Sequence, residues 1–290
     1  MIGNIHIMGI VNLNSDSFFS GSRTSGADAV ARARQMWADG ADVVDLGACS
    51  TRPGSTQPDV EEEWARLEPV LQEMAGQAGH DGEGATGPDG TVIPGSDRVS
   101  LSVDTFRAEI VRRTYDTIGP FLVNDISAGE MDPEMLETVG RLGLPYVAMH
   151  MRGTPETMQS LTDYEDVVAE VIRYFKEFSK KAADAGIREW ILDPGFGFAK
   201  TIGQNYELLN RLSEVSEAFP QEILVGLSRK SMIYKVLGIT PEEAMPSTQV
   251  LNFAALERGA TWLRVHDVAP AVHTAKLYST MYTSSPGAAK

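Results

Sequence analysis

A strand–helix–strand unit is legible in residues 146–192, YVAMHMRGTPETMQSLTDYEDVVAEVIRYFKEFSKKAADAGIREWIL. Its two ends, Tyr146–Met149 and Trp190–Leu192, are short aliphatic runs typical of strands that are buried on both faces. Between them, the spacing predicts an amphipathic helix over Asp163–Ala185, with Gly186 as its C-terminal stop. The apolar stripe of this helix steps by three and four residues through Tyr164, Val168, Val171, Phe175, Phe178 and Ala182.

The same alternation of apolar runs and amphipathic segments extends along the whole chain. Eight runs are predicted strands: Ile5–Val11, Asp42–Leu46, Val99–Val103, Phe121–Val123, Tyr146–Met149, Trp190–Leu192, Ile223–Val225 and Trp262–Val265. Eight strand–helix units fit an α/β fold of the (β/α)8 TIM barrel type, with long loops after the first and second strands. A doubly wound open sheet is the alternative, and it is disfavoured because it rarely contains eight evenly spaced units.

The chain is predicted to be one domain over residues 1–290, because no Pro/Ser-rich linker divides it. Gly79–Arg98 is the one low-complexity stretch, and its glycines predict a flexible insertion. This insertion connects a helix to the next strand, which places it on the bottom face of a barrel. Residues 283–290 are predicted to form a disordered tail.

Composition and charge exclude several classes of function. Hydrophobic residues make up 42% of the chain, enough for a sizeable core, and the net charge of −15 disfavours binding to nucleic acid or to anionic membranes. The single cysteine, Cys49, cannot form an intramolecular disulfide, and no apolar run approaches the roughly 20 residues of a spanning helix. The opening MIGNIHIMGIVN reads as a strand rather than a signal peptide, so we expect a soluble cytoplasmic protein.

Polar residues end six of the predicted strands, where burial of apolar surface cannot explain them: Asn12, Asp104, Asn124, His150, Asp193 and His266. In a barrel the carboxyl ends of all strands converge on one mouth, which is where active sites form. Uncompensated polar groups gathered in one pocket would cost several kcal/mol, so their convergence points to a ligand.

Cationic residues cluster at the same rim despite the acidic composition. Gly226–Ser231 follows the seventh strand and Arg264–Asp267 closes the eighth, where this fold often binds phosphate. The long loops Leu13–Ser25 and Ala48–Pro58 carry Asp16, Ser50, Thr51, Arg52 and Pro53. Long loops above a barrel mouth are typical of lids.

These segments resemble the dihydropteroate synthase family, collinearly from about Ile7 to Leu277. The matching motifs are Met8–Asn12, Asp16–Phe18, Ser50–Gly54, Ser102–Thr105, Asn124–Asp125, Met149–Gly153, Asp193–Phe198, Ser228–Ser231 and Arg264–Asp267. The resemblance implies a (β/α)8 barrel, a homodimer and a Mg²⁺-assisted condensation. In that reaction a hydroxymethyl-dihydropterin diphosphate and para-aminobenzoate give dihydropteroate and pyrophosphate, which is a step of folate synthesis.

The chemistry of a pterin ring agrees with these residues. A carboxylate can accept two hydrogen bonds from the aminopyrimidinone edge, and Asp193 is the best candidate, with Asn124 reading neighbouring donor and acceptor positions. Arg264 offers a planar guanidinium on which a flat ring can stack. The remaining predicted pterin-binding residues are Asp104, Met149, Phe198, Gly226 and Lys230.

Departure of a diphosphate calls for electrostatic stabilisation rather than a covalent nucleophile, and we expect a dissociative path. Asn12 is the predicted Mg²⁺ ligand, and Arg264, His266 and Arg52 join it in the predicted diphosphate site. Ser231 is predicted to bind the aminobenzoate carboxylate, and Thr51, Pro53 and Phe198 to wall its ring. The predicted catalytic residues are Asp16, Arg52, Lys230, Arg264 and His266.

The chain departs from the family pattern in two places. Asn14 and Ser15 precede Asp16 where Thr-Pro is usual, and loss of proline predicts a more mobile first loop. Cys49 stands where glutamate is frequent, and we interpret this lone cysteine as a packing residue rather than a nucleophile.

Two rival functions share the fold. One is a methyltetrahydrofolate:corrinoid methyltransferase, and the other is a catalytically silent relative that binds pterin.

Overall fold

Eight parallel strands and ten α-helices make up the part of the chain that the computed structural model describes, residues 4–13, 26–49, 57–78, 100–155 and 157–283. The strands are β1 (His6–Asn12), β2 (Val43–Gly47), β3 (Leu101–Asp104), β4 (Leu122–Asp125), β5 (Tyr146–Met149), β6 (Trp190–Asp193), β7 (Leu224–Val225) and β8 (Trp262–Val265). The helices are α1 (Gly26–Ala38), α2 (Val60–Ala78), α3 (Ala108–Ile118), α4 (Met135–Leu142), α5 (Val167–Asp184), α6 (Ile202–Asn210), α7 (Leu212–Ala218), α8 (Ser231–Leu237), α9 (Met245–Leu256) and α10 (Val268–Thr283). Among these helices, none has the length and apolar character needed to cross a membrane.

The sheet closes on itself because the first strand pairs with both the second and the last. Met8 of β1 is in register with Val43 of β2 on one side and with Arg264 of β8 on the other. The spatial order is β6-β5-β4-β3-β2-β1-β8-β7, and a bridge between Leu192 and Ile223 joins its two ends. The predicted (β/α)8 TIM barrel is therefore confirmed, and the open doubly wound sheet is excluded.

The core has two layers, one on each face of the strands. Outside the barrel, strand residues such as Val44, Leu46 and Val103 pack against the inner faces of the helices. Inside it, seven strands each contribute one side chain to a separate group that we call the lumen cluster: Met8, Val43, Leu122, Val147, Ile191, Leu224 and Trp262. Burial on both faces explains why the strands appear in the sequence as continuous aliphatic runs.

The long helix of the opening stretch is confirmed, although it begins at Val167 rather than at Asp163. Asp166 sets the start, because its carboxylate accepts hydrogen bonds from the backbone N–H groups of Val168 and Ala169, both at 2.9 Å. Gly186 follows the C-terminus with φ +78°, a conformation that glycine adopts without strain.

The two long connections at the barrel mouth agree with the prediction, since α1 begins only at Gly26 and α2 at Val60. Residues 14–25 and 50–56 of these connections lie outside the described residues. The predicted insertion Gly79–Arg98 also lies outside them, as does the predicted tail beyond Thr283, the last residue of α10.

Candidate active site

The predicted site residues that belong to the strands lie mainly in the barrel interior, one level above the lumen cluster. Side chains of a strand alternate between its two faces, so a residue two positions after a lumen-facing residue also faces the lumen. Two positions after members of the lumen cluster stand Asp45, Asn124, Met149, Asp193, Gly226 and Arg264. Asp104 completes this level, two positions after the buried Ser102 of β3. The polar groups of this level are therefore three acids, one amide and one arginine.

Arg264 of β8 forms the centre of this level by pairing with two carboxylates. Its Nε and Nη2 atoms lie 2.7 Å and 2.6 Å from Oδ2 of Asp45, and Nη2 lies 2.8 Å from Oδ2 of Asp104. Asn124 donates its Nδ2–H to the same Asp45 oxygen at 3.0 Å. We call Asp45, Asp104, Asn124 and Arg264 the Arg264 cluster.

Burial and neighbouring charges shift the ionisation of this cluster. The pKa of Asp104 is raised to about 7, chiefly because the carboxylate is buried, and the negative charges of Asp45 and Glu63 add to the shift although Arg264 opposes it. Burial disfavours the charge of Arg264, yet the carboxylates of Asp45 and Asp104 outweigh this, so its pKa lies above the ordinary value. Arg264 is therefore a permanent cation, whereas Asp104 titrates near neutrality.

The loop after β6 places a second charged pair beside the cluster. The backbone N–H of Gly195 donates to Oδ1 of Asp193 at 2.8 Å, which fixes this carboxylate. Lys230 donates to the carbonyl oxygen of Phe196, and its Nζ lies 4.9 Å from the ring centroid of Phe198. Asp193, Phe198 and Lys230 are thereby brought together as the sequence predicts.

Burial shifts the pKa values of Asp193 and Lys230 in opposite directions. It raises the pKa of Asp193, while the cation of Lys230 and the hydrogen bond from Gly195 oppose that rise. It also lowers the pKa of Lys230 to about 8, against the attraction of Asp193. The Lys230 ammonium is thus poised to lose its proton just above neutral pH.

His150 differs from the expectation that all six polar strand ends share one pocket. Met149 occupies the lumen-facing position of β5, so the next residue turns outward: the His150 ring lies edge-on to Tyr174 of α5, with centroids 4.9 Å apart. Its Nδ1 is 2.9 Å from Nζ of Lys200, which also donates to the carbonyl oxygens of Gly195 at 2.9 Å and Phe198 at 3.1 Å. Lys200 thereby anchors the loop that follows β6, which we call the β6 loop.

The ends of β7 and β8 meet at the rim, where cations were predicted. His266 lies two positions after Arg264, and its Nδ1 is 3.0 Å from Oγ of Ser228. Arg229 pairs with Asp267 through two contacts of 2.9 Å and 2.7 Å, so its charge is compensated within the protein. Ser231 is the first residue of α8, directly after Lys230. Lys230, Ser231, Arg264 and His266 therefore surround one part of the mouth.

Asn12 ends β1, the strand between β2 and β8. A methyl carbon built on Gly47 would lie 3.5 Å from Oδ1 of Asn12 and 3.7 Å from Oδ2 of Asp104, so glycine leaves space between these two side chains. In the described part of the chain no three His, Cys, Asp or Glu side chains cluster as a metal site. The predicted residues Asp16, Thr51, Arg52 and Pro53 lie outside the described residues.

Two buried charges of the site escaped the sequence analysis, Asp45 and Lys200. An aspartate inside the otherwise apolar run Val43–Gly47 is the signal that could have revealed the first.

Cys49 behaves as interpreted, because it is buried among Phe106, Met149 and other apolar side chains. Burial is the main cause that raises the pKa of its thiol, and the negative charge of nearby Glu63 adds to the rise. A thiol with a raised pKa is a poor nucleophile.

Comparison with known proteins identifies the family. The family model described as pterin binding enzyme matches residues 8–81 and 91–266. The chain is 39% identical over 275 residues to dihydropteroate synthase of Escherichia coli K12, covering 94% of this chain and 90% of that protein.

Solved structures agree with this match. Dihydropteroate synthase of Xanthomonas albilineans with 4-aminobenzoic acid superimposes with a TM-score of 0.83 at 35% identity, covering 98% of this chain and 95% of that one. Dihydropteroate synthase of Burkholderia cenocepacia complexed with 7,8-dihydropteroate superimposes with a TM-score of 0.80 at 31% identity, covering 96% of this chain and 92% of that one. The chain therefore belongs to the pterin-binding enzyme family, among its dihydropteroate synthases, and is an enzyme of the transferase class.

Proposed function

We propose that the chain condenses 6-hydroxymethyl-7,8-dihydropterin diphosphate with para-aminobenzoate, giving 7,8-dihydropteroate and pyrophosphate. The observation that carries this proposal is the convergence of Asp104, Asn124, Asp193, Lys230 and Arg264 at the carboxyl ends of five different strands or the loops that follow them. The two solved relatives named above contain 4-aminobenzoic acid and 7,8-dihydropteroate, which are the second substrate and the product of this reaction.

The pterin ring binds between the Arg264 cluster and the β6 loop. The carboxylate of Asp193 accepts two N–H donors of the aminopyrimidinone edge, because an ionised carboxylate is an acceptor only. Asn124 and Asp104 contact the remaining polar atoms of the ring, and Lys230 donates to a ring acceptor. The guanidinium of Arg264, held by two carboxylates, offers its face to the ring, while Met149, Phe198 and Gly226 line the pocket.

Cleavage of the C–O bond leaves negative charge on the diphosphate and positive charge on the pterin methylene, which the electron-rich dihydropterin delocalises. Arg264 and His266 stabilise the departing oxygens, with Arg52 completing this part of the site. The aromatic amine then attacks the methylene carbon with its nitrogen lone pair, and the nitrogen loses one proton to water. This amine is largely neutral at pH 7, so no strong general base is needed.

Asn12 is suited to Mg²⁺ as a single protein ligand, because its Oδ1 is a hard oxygen and Mg²⁺ usually takes one or two protein oxygens plus phosphate oxygens. When bound, Mg²⁺ supplies charge neutralisation to the diphosphate. Asn12 stands at the end of β1, and Gly47 places no side chain against its Oδ1, where a Cβ would lie at 3.5 Å.

The aminobenzoate lies above the pterin, with its carboxylate at Ser231 and its ring against Phe198, Thr51 and Pro53. Ser231 begins α8, so unpaired backbone N–H groups of the first turn lie beside its hydroxyl. Asp16 and Arg52 order the two long loops around the reacting cation.

A homodimer is part of the proposal, and an apolar outer face supports it. Large hydrophobic side chains are exposed on three successive helices: Val236 and Leu237 of α8, Val250 of α9, and Leu277, Met281 and Tyr282 of α10. Exposed apolar groups of this size on neighbouring elements are typical of subunit interfaces. We propose that a second copy of this chain covers this apolar face.

We also place the enzyme in the cytoplasm.

Release of pyrophosphate separates the proposed reaction from its rivals. With both substrates and Mg²⁺, we expect stoichiometric pyrophosphate and dihydropteroate, and no product when either substrate is left out. A corrinoid methyltransferase has no use for a diphosphate and would release none, and a silent relative would bind the pterin without turnover. Absence of pyrophosphate from folded, pterin-binding protein would remove the synthase proposal, and Lys230→Ala serves as the inactive control.

A further inference from the structure

Asp45 is a buried acid of the site to which the proposed reaction assigns no role. It lies within β2, its side chain has no exposed surface, and the proposed substrate contacts do not include it. A buried carboxylate is costly unless hydrogen bonds and an opposite charge compensate it. The groups that pair with the Asp45 carboxylate therefore indicate its role.

Within the described residues, the side chains that donate hydrogen bonds to the Asp45 carboxylate are those of Arg264 and Asn124, both proposed pterin-binding residues. Its Oδ2 accepts Nε–H and Nη2–H of Arg264, at 2.7 Å and 2.6 Å, and Nδ2–H of Asn124 at 3.0 Å. These residues come from β8 and β4, each two strands away from β2, on its opposite sides. One carboxylate oxygen thus ties three strands together at the level of the ligand.

The contact fixes the orientation of Arg264. Nε and Nη2 form one edge of the planar guanidinium, and Asp45 holds both, while Asp104 holds Nη2 at 2.8 Å. A guanidinium held along one edge cannot rotate out of its plane, so its face stays presented for stacking. Without Asp45, the single contact to Asp104 would allow rotation.

The same carboxylate also fixes the amide of Asn124. Because Nδ2 donates to Asp45, the amide cannot flip, and Oδ1 remains the acceptor that Asn124 offers to a ligand. The polarity of this side chain is therefore set by a residue that needs no contact with the ligand.

We propose that Asp45 is a positioning residue that orients Arg264 and Asn124 for the pterin ring. This inference rests on the proposed function of the site as a pterin pocket. Asp45 acts only through its two neighbours, so its removal weakens pterin binding and leaves recognition of aminobenzoate intact.

Asp125 is a matched control, since it is also an aspartate on a strand with no exposed surface. Its carboxylate bonds to groups outside the proposed pocket, the N–H groups of Ser127 and Gly129 at 2.7 Å and 2.8 Å and the hydroxyl of Tyr146 at 2.6 Å. A merely structural role of a buried acid would show equally at both positions.

The test compares Asp45→Asn, Asp45→Ser and Asp125→Asn with the unmodified chain. Calorimetry measures binding of the pterin diphosphate alone, and steady-state kinetics give KM for each substrate; two variants at position 45 guard against loss of folding in one of them. For the Asp45 variants we expect Kd and KM of the pterin substrate to rise at least about tenfold, with KM for aminobenzoate within about twofold. For Asp125→Asn we expect a lower Tm and pterin affinity within about twofold.

Folded Asp45 variants that bind the pterin within about twofold of the unmodified chain would overturn the inference. An equal loss of affinity in Asp125→Asn would also overturn it, because the effect would then reflect general destabilisation. If the unmodified chain itself does not bind the pterin diphosphate, the proposed function fails instead, so the two failures are distinguishable.

Discussion

Replacing Asp193 by asparagine tests the pterin site at its most specific contact. The substitution keeps the size of the side chain and an oxygen that can accept the N–H of Gly195, 2.8 Å away, so the β6 loop retains its fold. It removes the negative charge and replaces one acceptor by a donor. The aminopyrimidinone edge then meets an N–H group where it needs an acceptor, and Lys230 loses its charged neighbour.

The magnitude follows from the kind of contact that is lost. A hydrogen bond to a buried charged group contributes about 1.5–3 kcal/mol, and an opposing donor adds a desolvation cost, for a total of about 2–4 kcal/mol. At about 1.4 kcal/mol for each factor of ten, pterin affinity should fall roughly 30- to 1000-fold.

Calorimetric titration with the pterin diphosphate, in the absence of aminobenzoate, measures this loss without turnover. Asp125→Asn is again the control, because it removes another buried carboxylate at a strand end, that of β4. Near-native pterin affinity in folded Asp193→Asn would refute the assignment of this residue to the pterin edge.

Other predictions concern the lysines and the insertion. Because the pKa of Lys230 is about 8, pterin binding should weaken as pH rises through that value, when the ammonium loses its proton; an unchanged affinity up to pH 9.5 would contradict its role. Lys200→Met removes the donor shared by His150 Nδ1 and the carbonyl oxygens of Gly195 and Phe198, of which only the Gly195 oxygen keeps another bond, from the N–H of Phe198. Urea unfolding should therefore show a loss of about 2–4 kcal/mol, whereas exposed Lys181→Met should change stability by less than about 0.5 kcal/mol. Shortening 79–98 to a tight turn should leave kcat unchanged, and a large fall in kcat would show that this segment reaches the site.

Strands were the part of the fold that local pattern could predict, because both of their faces are buried and each therefore forms an aliphatic run. The start of α5 was less accessible. The apolar stripe extends toward the N-terminus as far as Tyr164. The carboxylate of Asp166, however, accepts hydrogen bonds from the first free backbone N–H groups of the helix, and this capping contact sets the residue at which α5 begins. The closure of the barrel was inferred from the number of units, whereas its proof is the pairing of β1 with β8 across most of the chain.

Site residues were predictable where a polar side chain ends an apolar strand, as at Asn124 and Asp193. The prediction was wrong for His150 because one residue along a strand reverses the face, and Met149 already occupies the lumen. Asp45 was missed because its meaning depends on Arg264, which is 219 positions away in the sequence and adjacent only after the barrel closes. Such long-range pairs leave no local pattern.

The central claim is that one pocket in the barrel mouth holds the pterin ring through acids, an amide and two cations. A crystal structure with a bound pterin diphosphate analogue and Mg²⁺ tests it most directly. The account predicts the aminopyrimidinone edge on Asp193 and Asn124, the ring face on Arg264, and the diphosphate toward His266 and Asn12. A pterin ring bound away from Asp193 and Arg264 would contradict it.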